Sequence, residues 1–150
     1  MLQLTKRTEY GLIAMVHLAT PAPEPVSARE IAETYNVPRR LLAEVLKDLC
    51  REGLVESTRG AQGGYALARE AETITFKDVI EAIEGPVSLN VCVGDAGEAP
   101  DCCAQSPRCS MLWVWKEAQK RVMEVFATTT LAAVLQKRAV TPGVVGAATG

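Results

Sequence analysis

Residues 26–67 read VSAREIAETYNVPRRLLAEVLKDLCREGLVESTRGAQGGYAL, and this stretch decides which fold the chain can adopt. Ser27 followed by Glu30 has the form of a capping box, in which each side chain satisfies a backbone N–H that the first helical turn leaves open. A helix should therefore start at Ser27. It should end before Pro38, because the residue that precedes a proline is pushed out of helical geometry.

A second helix should follow after this brief break. Proline is tolerated at the first helical position, so Pro38 can open the helix, and Gly53 should close it. Arg39 and Arg40 fall on its exposed side. Its buried stripe consists of apolar residues about one turn apart, namely Leu41, Leu42, Val45, Leu46 and Leu49. Two helices joined by so short a turn form a helix-turn-helix unit, whose second helix would be the reading helix.

The residues after the second helix predict a β-hairpin. Residues 54–57 and 65–67 have strand character, and the intervening glycines allow a tight reversal. Gly60, Gly63 and Gly64 would let the backbone approach a phosphate closely, because they carry no side chain. Arg59 supplies the positive charge, so the hairpin is a wing suited to the groove beside the reading helix.

A helix-turn-helix unit can also be a protein-binding module, so the two helices alone leave DNA binding and protein binding equally open. The glycine-rich hairpin with Arg59 favours DNA. We therefore expect a double-stranded DNA operator to contact the residues Arg39, Arg40, Arg59, Gly60, Gly63, Gly64, Ser27 and Lys6.

The composition of the 150-residue chain bounds its function. A hydrophobic content of 48% suffices for a core, and a net charge of −2 gives no general attraction to nucleic acid, so DNA binding must come from local clusters. We expect no membrane segment, because the apolar runs are too short to span a bilayer, and Glu9 argues against a signal peptide. The expectation is a cytoplasmic protein, and no motif predicts an enzyme.

Two further helices should complete the first 85 residues. Thr5 or Thr8 can cap a first helix that packs behind the reading helix, and Thr75 with Asp78 can cap a helix that follows the wing. The inward residues of the first are Leu12, Met15, Val16 and Ala19, and those of the other are Phe76, Val79, Ile80 and Ile83. The fold class is mainly α with a small β-hairpin wing, a winged helix-turn-helix over residues 1–85.

A long helix should follow, with Ser106-Pro107 as its cap and first residue. Apolar residues spaced four, three, four and three apart match a two-stranded coiled coil, namely Met111, Trp115, Ala118, Val122 and Val125. The competing interpretation is a helix folded back on its own domain, which Leu112, Val114 and Phe126 could support. We favour a homodimer in which residues 110–138 hold this dimerisation helix and a short helix, because such proteins normally read two half-sites symmetrically. Residues 139–150 should be a disordered tail.

Residues 86–109 lack periodicity and contain four of the five cysteines, namely Cys92, Cys102, Cys103 and Cys109. Cys50 instead lies beside the buried stripe of the reading helix and should belong to the core. A structural zinc site brings cysteines in close pairs, and Cys92, Cys103 and Cys109 are too widely spaced for that pattern. A thioredoxin-like redox motif separates two cysteines by two residues, and the sequence has no such motif. Iron–sulfur clusters accept wider and less regular spacings, so spacing alone favours a cluster modestly.

The chain resembles the IscR/NsrR/RirA regulators of the Rrf2 family up to about Arg138. The motifs that carry the resemblance are Leu4-Thr5-Lys6, the wing from Arg59 to Leu67, the helix from Phe76 to Gly85 and a three-cysteine loop before a long helix. Members are homodimeric winged-helix transcription regulators, and most sense iron–sulfur status, iron, nitric oxide or redox state through a cluster. The resemblance implies that Cys92, Cys103 and Cys109 hold a 2Fe–2S or 4Fe–4S cluster in a repressor.

Two departures from the family pattern concern the cluster ligands. The gap between Cys92 and Cys103 is longer than usual, and the adjacent Cys102 is an alternate ligand. In IscR a histidine three residues after the last cysteine completes the site, but this chain has Leu112 there. In nitric-oxide-sensing relatives a carboxylate from the partner's first helix does so, and Glu9 occupies the matching place. The alternative function is a clusterless regulator that senses oxidants by joining Cys92 to Cys102 or Cys103.

Overall fold

The computed structural model describes residues 4–21, 25–90, 93 and 109–140, without the side chains of residues 138–140. Cys92, Cys102 and Cys103, and residues 141–150 of the expected tail, lie outside these described residues. The described part contains six helices and one antiparallel pair of strands, in the order α1 (Lys6–Ala19), α2 (Ala28–Tyr35), α3 (Arg39–Arg51), β1 (Val55–Thr58), β2 (Gly64–Leu67), α4 (Phe76–Glu84), α5 (Leu112–Thr128) and α6 (Leu131–Val140).

α2 and α3 form the expected helix-turn-helix. The Ser27 side-chain oxygen accepts a hydrogen bond from the Glu30 backbone N–H at 3.1 Å, so α2 begins where the sequence indicated. The Glu30 carboxylate lies 3.9 Å from Nε2 of His17 on α1, and only one half of the predicted capping box is formed. His17 therefore joins α1 to α2.

The turn between α2 and α3 depends on three residues. Asn36 adopts a left-handed conformation with φ of 52°, and the Val37 N–H donates to the Ala32 carbonyl at 2.9 Å. Val37 is buried in the core, whereas Pro38 caps α3 from outside rather than forming its first residue. The break is thus short because Asn36 reverses the chain and Pro38 starts the next helix at once.

α1 crosses α3 and α4, as expected of a helix behind the reading helix. Its predicted inward face is rotated, however, because Leu12, Val16 and Ala19 are only partly buried. The buried residues of α1 are Thr8, Gly11, Ala14, Met15 and Leu18. Small residues at the crossing let the neighbouring helices approach: a Cβ on Gly11 would lie 2.2 Å from Ile83 Cδ1 and 3.1 Å from Val45 Cγ1.

The wing is fixed to the start of the helix-turn-helix. β1 and β2 pair in the register Val55↔Leu67 to Thr58↔Gly64, and Tyr65 forms an additional antiparallel bridge with Val26. The Val26 N–H donates to the Tyr65 carbonyl at 2.9 Å, and the Tyr65 N–H donates back at 2.8 Å. The hairpin is consequently joined by backbone hydrogen bonds to the residues that lead into α2.

The second half of the chain returns to the same core. Thr75 and Asp78 form a reciprocal capping box at the start of α4, as predicted. The Phe76 N–H donates to the Thr129 carbonyl at 2.8 Å, and the Leu131 N–H donates to the Ile74 carbonyl at 3.0 Å. Leu131 is fully buried in the core of the winged helix-turn-helix, and α6 packs on α1.

α5 begins later than the sequence indicated. Its first residue is Leu112, and Met111 caps it through backbone geometry without a side-chain hydrogen bond. A turn precedes it, in which the Leu112 N–H donates to the Cys109 carbonyl at 3.3 Å. Ser106 and Pro107, which were predicted to open this helix, lie outside the described residues, and α5 begins five residues after Pro107.

Candidate nucleic-acid interface and cysteine loop

The exposed face of α3 begins with two arginines. Arg39 is exposed, and the Arg40 side chain is 92% exposed. Leu42, Val45, Leu46 and Leu49 turn inward and are fully buried, which leaves the arginines on the outer surface of the helix. This is the placement expected of side chains that meet a DNA groove. Glu44, one turn after Arg40, has its Oε1 3.4 Å from Arg40 Nε.

A charged network ties this face of α3 to α1. Arg7 Nη1 lies 3.4 Å from Oε2 of Glu44, and Arg7 Nη2 lies 2.6 Å from Oδ2 of Asp48. Asp48 Oδ1 also lies 3.1 Å from Nη2 of Arg51. No local pattern in the sequence predicts this network, because its members come from helices that are far apart in the chain.

The wing carries Arg59 and Gly60 at its exposed end. Gly60 has φ of 117°, a conformation that favours glycine. Gly63 and Gly64 serve a purpose inside the fold. A Cβ on Gly63 would lie 2.2 Å from the Thr58 carbonyl oxygen, and one on Gly64 would lie 2.6 Å from that of Val26. The close backbone approach at these two glycines is therefore made by the protein's own chain.

The first turn of α1 contains two residues predicted for different sites. Glu9 is exposed, and its Oε2 lies 2.6 Å from Lys6 Nζ. The predicted DNA contact Lys6 and the predicted cluster ligand Glu9 thus pair with each other in the single chain. The hydrogen bond with the Glu9 carboxylate raises the pKa of Lys6.

A carboxylate that the sequence analysis did not single out joins α1 to α4. Glu84 accepts hydrogen bonds from the hydroxyls of Thr5 and Thr8, of which Thr8 is fully buried. The bond from Thr5, followed by that from Thr8, lowers the pKa of Glu84. Thr5 is also the N-cap of α1, so these bonds join the start of α1 to the end of α4, which directly precedes the cysteine loop.

The ends of the cysteine loop are both attached to α5. The Gln119 side chain donates to the Val87 carbonyl and accepts from the Leu89 N–H, each at 2.8 Å. This paired bond holds the segment that leads into Cys92. At the other end, Cys109 is a free, half-buried thiol three residues before α5. No sequence signal distinguished Gln119 from the other polar residues of the helix.

The described residues contain no group of three or more potential metal-ligating side chains. Of the predicted ligands, only Cys109 and Glu9 fall among them. Cys50 lies part-buried against the core, as predicted, and burial raises the pKa of its thiol.

α5 presents two different faces. Phe126 packs on Phe76 with ring centroids 6.3 Å apart, which supports packing on its own domain along one face. Other large apolar side chains of the helix and its cap are exposed, namely Met111, Trp113, Val114, Trp115 and Val125. Val114 is thus on the open side, and not on the inward side to which the competing interpretation assigned it. Ala118 and Val122 are only partly exposed.

This architecture and these motifs coincide with a known protein family. The family model Rrf2, described as an iron-dependent transcriptional regulator, matches residues 4–137. The chain belongs to the Rrf2 family. Among its relatives, the HTH-type transcriptional regulator CymR of Bacillus subtilis is 34% identical over 131 residues, which cover 87% of this chain and 87% of that protein.

Two solved structures of Rrf2-type proteins show the same fold. The structure of CymR, described as the global cysteine regulator of B. subtilis, has a TM-score of 0.74 at 33% identity and covers 91% of this chain and 98% of that one. The structure of T. potens IscR has a TM-score of 0.74 at 31% identity and covers 97% of this chain and 94% of that one. The winged helix-turn-helix fold is therefore confirmed.

Membership of the Rrf2 family assigns the general function. This chain is a DNA-binding transcription regulator, and its relatives are regulators rather than enzymes. In the part of the chain that the structure describes, no helix has the length and apolar character needed to cross a bilayer.

Proposed function

We propose that this Rrf2-family regulator is a homodimeric repressor whose operator binding is controlled by an iron–sulfur cluster. Cys92, Cys103 and Cys109 would supply three thiolates, with Cys102 as the alternate ligand. Glu9 of the partner would supply the fourth. Thiolates are the donors that iron–sulfur clusters require, and a carboxylate is a harder and weaker ligand. When bound, the cluster would supply iron that reacts with nitric oxide or oxygen.

The attachment of both loop ends to α5 carries this proposal. Gln119 holds Leu89, three residues before Cys92, and Cys109 precedes Leu112, the first residue of the same helix. Gln119 is seven positions after Leu112 in α5, which corresponds to about 10 Å along a helix. Leu89 and Cys109, which flank the loop, therefore both lie beside the first half of α5, and this supports a site shared by the first and last predicted ligands.

The exposed apolar side of α5 supports the homodimer. Met111, Val114 and Val125 lie on one side and are 63%, 46% and 59% exposed, an arrangement that is costly in water and typical of a surface covered by a second subunit. A symmetric pair of subunits would place two α3 helices and two wings on two half-sites of an operator.

The proposed DNA contacts follow from the exposed residues of α3 and the wing. Arg39 and Arg40 would meet base edges or phosphates from the reading helix, and Arg59 with Gly60 would meet the neighbouring groove. Ser27 would donate its hydroxyl to a phosphate at the start of α2. Lys6 pairs with Glu9 in the single chain. It would become available to contact DNA when Glu9 binds the cluster of the partner subunit. Gly63 and Gly64 would act by shaping the wing.

The second candidate function is a clusterless regulator that senses oxidants through Cys92 and Cys102 or Cys103. The adjacency of Cys102 and Cys103 favours this function. The similarity to the structure of CymR also favours it, because its TM-score of 0.74 equals that for the structure of IscR. In this case the dithiol would lose two electrons and two protons to an oxidant such as a peroxide, which would be reduced to water or an alcohol.

Anaerobic purification tests the cluster. The wild-type protein should contain iron and acid-labile sulfide and absorb visible light, and Cys109→Ser should be colourless. Cys50→Ser is the matched control and should retain the colour, because Cys50 belongs to the core. Glu9→Ala should keep a cluster with an altered spectrum and faster loss in air. Wild-type protein without iron or sulfide would exclude the cluster and leave the thiol mechanism.

A further inference from the structure

We infer that Glu44 and Arg7 are positioning residues for Arg40, so that α1 sets how far the Arg40 side chain extends from α3 toward DNA. The inference rests on the proposed place of Arg40 at the operator. It follows from a single carboxylate that two guanidinium groups share, one from each helix. The cysteine loop and its cluster play no part in it.

The geometry of the shared carboxylate is asymmetric. Arg40 approaches Oε1 of Glu44 at 3.4 Å from the exposed side, and its own side chain is 92% exposed. Arg7 approaches Oε2 at 3.4 Å and is anchored by Asp48 at 2.6 Å, whose side chain is only 17% exposed. Arg7 is therefore the fixed partner of Glu44, and Arg40 is the partner that can leave.

A phosphate competes with Glu44 for Arg40, because guanidinium groups bind carboxylates and phosphates in the same way. Any DNA can offer a phosphate, so the carboxylate lowers affinity for DNA of arbitrary sequence. In the operator complex, a base edge can bind Arg40 while Arg40 stays beside Glu44. The affinity for the operator is therefore lowered less by the competition than the affinity for other DNA. Glu44 thus acts on specificity by weakening the wrong complexes more than the right one.

Arg7 adjusts this competition from inside the protein. By pairing with Glu44 it neutralises part of the carboxylate charge and reduces the hold of Glu44 on Arg40. Removal of Arg7 should therefore have the opposite effect to removal of the Glu44 charge. This opposition distinguishes positioning from a purely structural role, in which both changes would simply destabilise the fold.

The test measures affinity for two duplexes, one selected from a randomised pool by the wild-type protein and one scrambled to the same composition. Glu44→Gln should raise affinity for the scrambled duplex about two- to fivefold, the range of an exposed ion pair, and narrow the selected-to-scrambled ratio. For this variant, the plot of the logarithm of the binding constant against the logarithm of the salt concentration should become steeper by up to about one unit of slope. Arg7→Gln should lower affinity for the scrambled duplex by a similar factor.

Double variants show whether the effects pass through Glu44 and Arg40. The Arg7→Gln effect should vanish in a Glu44→Gln background, and the Glu44→Gln effect should vanish in an Arg40→Gln background. Arg7→Lys keeps the charge without the planar fork, and should lie between wild type and Arg7→Gln. Thermal unfolding of each variant checks that it folds.

Glu81→Gln is the matched control, because Lys77 and Glu81 form a pair of the same order and spacing on α4, 3.7 Å apart. Glu81→Gln removes the same charge and should leave the ratio of the affinities for the selected and scrambled duplexes unchanged. An equal effect of Glu81→Gln and Glu44→Gln would overturn the inference in favour of overall charge. An Arg7→Gln effect that persists without the Glu44 carboxylate would overturn it too, since Arg7 would then meet DNA itself. Unchanged affinity of Arg40→Gln for both duplexes would instead refute the proposed place of Arg40.

Discussion

Glu84 shows how one side chain positions the first turn of α1. It accepts hydrogen bonds from Thr5 and Thr8, which lower the pKa of its carboxyl group. A depressed folded-state pKa contributes stability that is present above the unfolded pKa, about 4.3 for glutamate. That contribution is lost as the pH falls through the folded value. The tie between α1 and α4 should therefore be complete at neutral pH and weaken in acid.

Glu84→Gln should lower the free energy of unfolding by about 1 kcal/mol at neutral pH, a value reduced for the exposure of the carboxylate. The gap from wild type should shrink as the pH falls below the unfolded pKa and through the lowered folded pKa, because protonation then removes the charge from the wild-type protein as well. Urea unfolding across this range measures it, with the exposed Glu72→Gln as control. A gap of constant size at all pH values would show that the charge of Glu84 contributes nothing.

At the same scale, the sequence predicted which basic residues are exposed but not how they are connected. The exposure of Arg40 follows from the apolar stripe of α3, because the helical period places it opposite the stripe, whereas Arg39 is exposed as the first residue of the helix. The bond from Arg7 to Glu44 joins residues 37 positions apart and depends on the angle at which α1 crosses α3. No local pattern encodes that angle, so the network required the structure.

At the scale of elements, the wing is held by two glycines that allow close backbone contact. Gly64→Ala would place a Cβ 2.6 Å from the Val26 carbonyl oxygen and strain the bridge between Val26 and Tyr65. We expect a loss of about 1–3 kcal/mol in the free energy of unfolding, the usual cost of an overpacked site. Urea unfolding measures this loss. Gln62→Ala in the same exposed turn should cost far less, and equal stability of both variants would contradict the tight contact.

Element boundaries were predictable where a local signal fixes them. Ser27, Thr75 with Asp78, and Gly85 mark helix ends through their own backbone and side-chain chemistry, and the structure confirms them. The inward face of α1 was not predictable in this way. Gly11 and Ala14 are buried because other helices approach them, and not because of their own hydrophobicity. The start of α5 at Leu112 has no such signal, because its N-cap Met111 forms no side-chain hydrogen bond.

At the scale of the whole molecule, the open side of α5 determines the proposed dimer. Val125→Asp should give monomers, because a two-fold axis would bring two carboxylates together in an apolar surface. Val125 is 59% exposed in the single chain, so the substitution should leave the fold intact. Sedimentation velocity measures the outcome. Ala127→Asp, also exposed on α5, is the control, and a dimer that survives Val125→Asp would place the subunit contact elsewhere.

The winged helix-turn-helix followed from the sequence, because its helices, turn and hairpin are each specified by neighbouring residues. The attachment of the cysteine loop to α5 did not, since Gln119 bonds a backbone segment 30 residues away through two atoms that any glutamine carries. The cysteines themselves indicated the chemistry of the loop, whereas its placement relative to α5 depends on the tertiary fold.

The most direct test compares operator affinity of one protein preparation before and after its cluster is removed under anaerobic conditions. The probe is the duplex selected from a randomised pool, with the scrambled duplex as reference. Cluster control predicts a change in affinity for the selected duplex of about tenfold or more, which is typical of the coupling between two sites. Cluster-loaded Cys50→Ser should show the same change. Equal affinity of the cluster-loaded and cluster-free forms would contradict the proposal that the cluster controls operator binding.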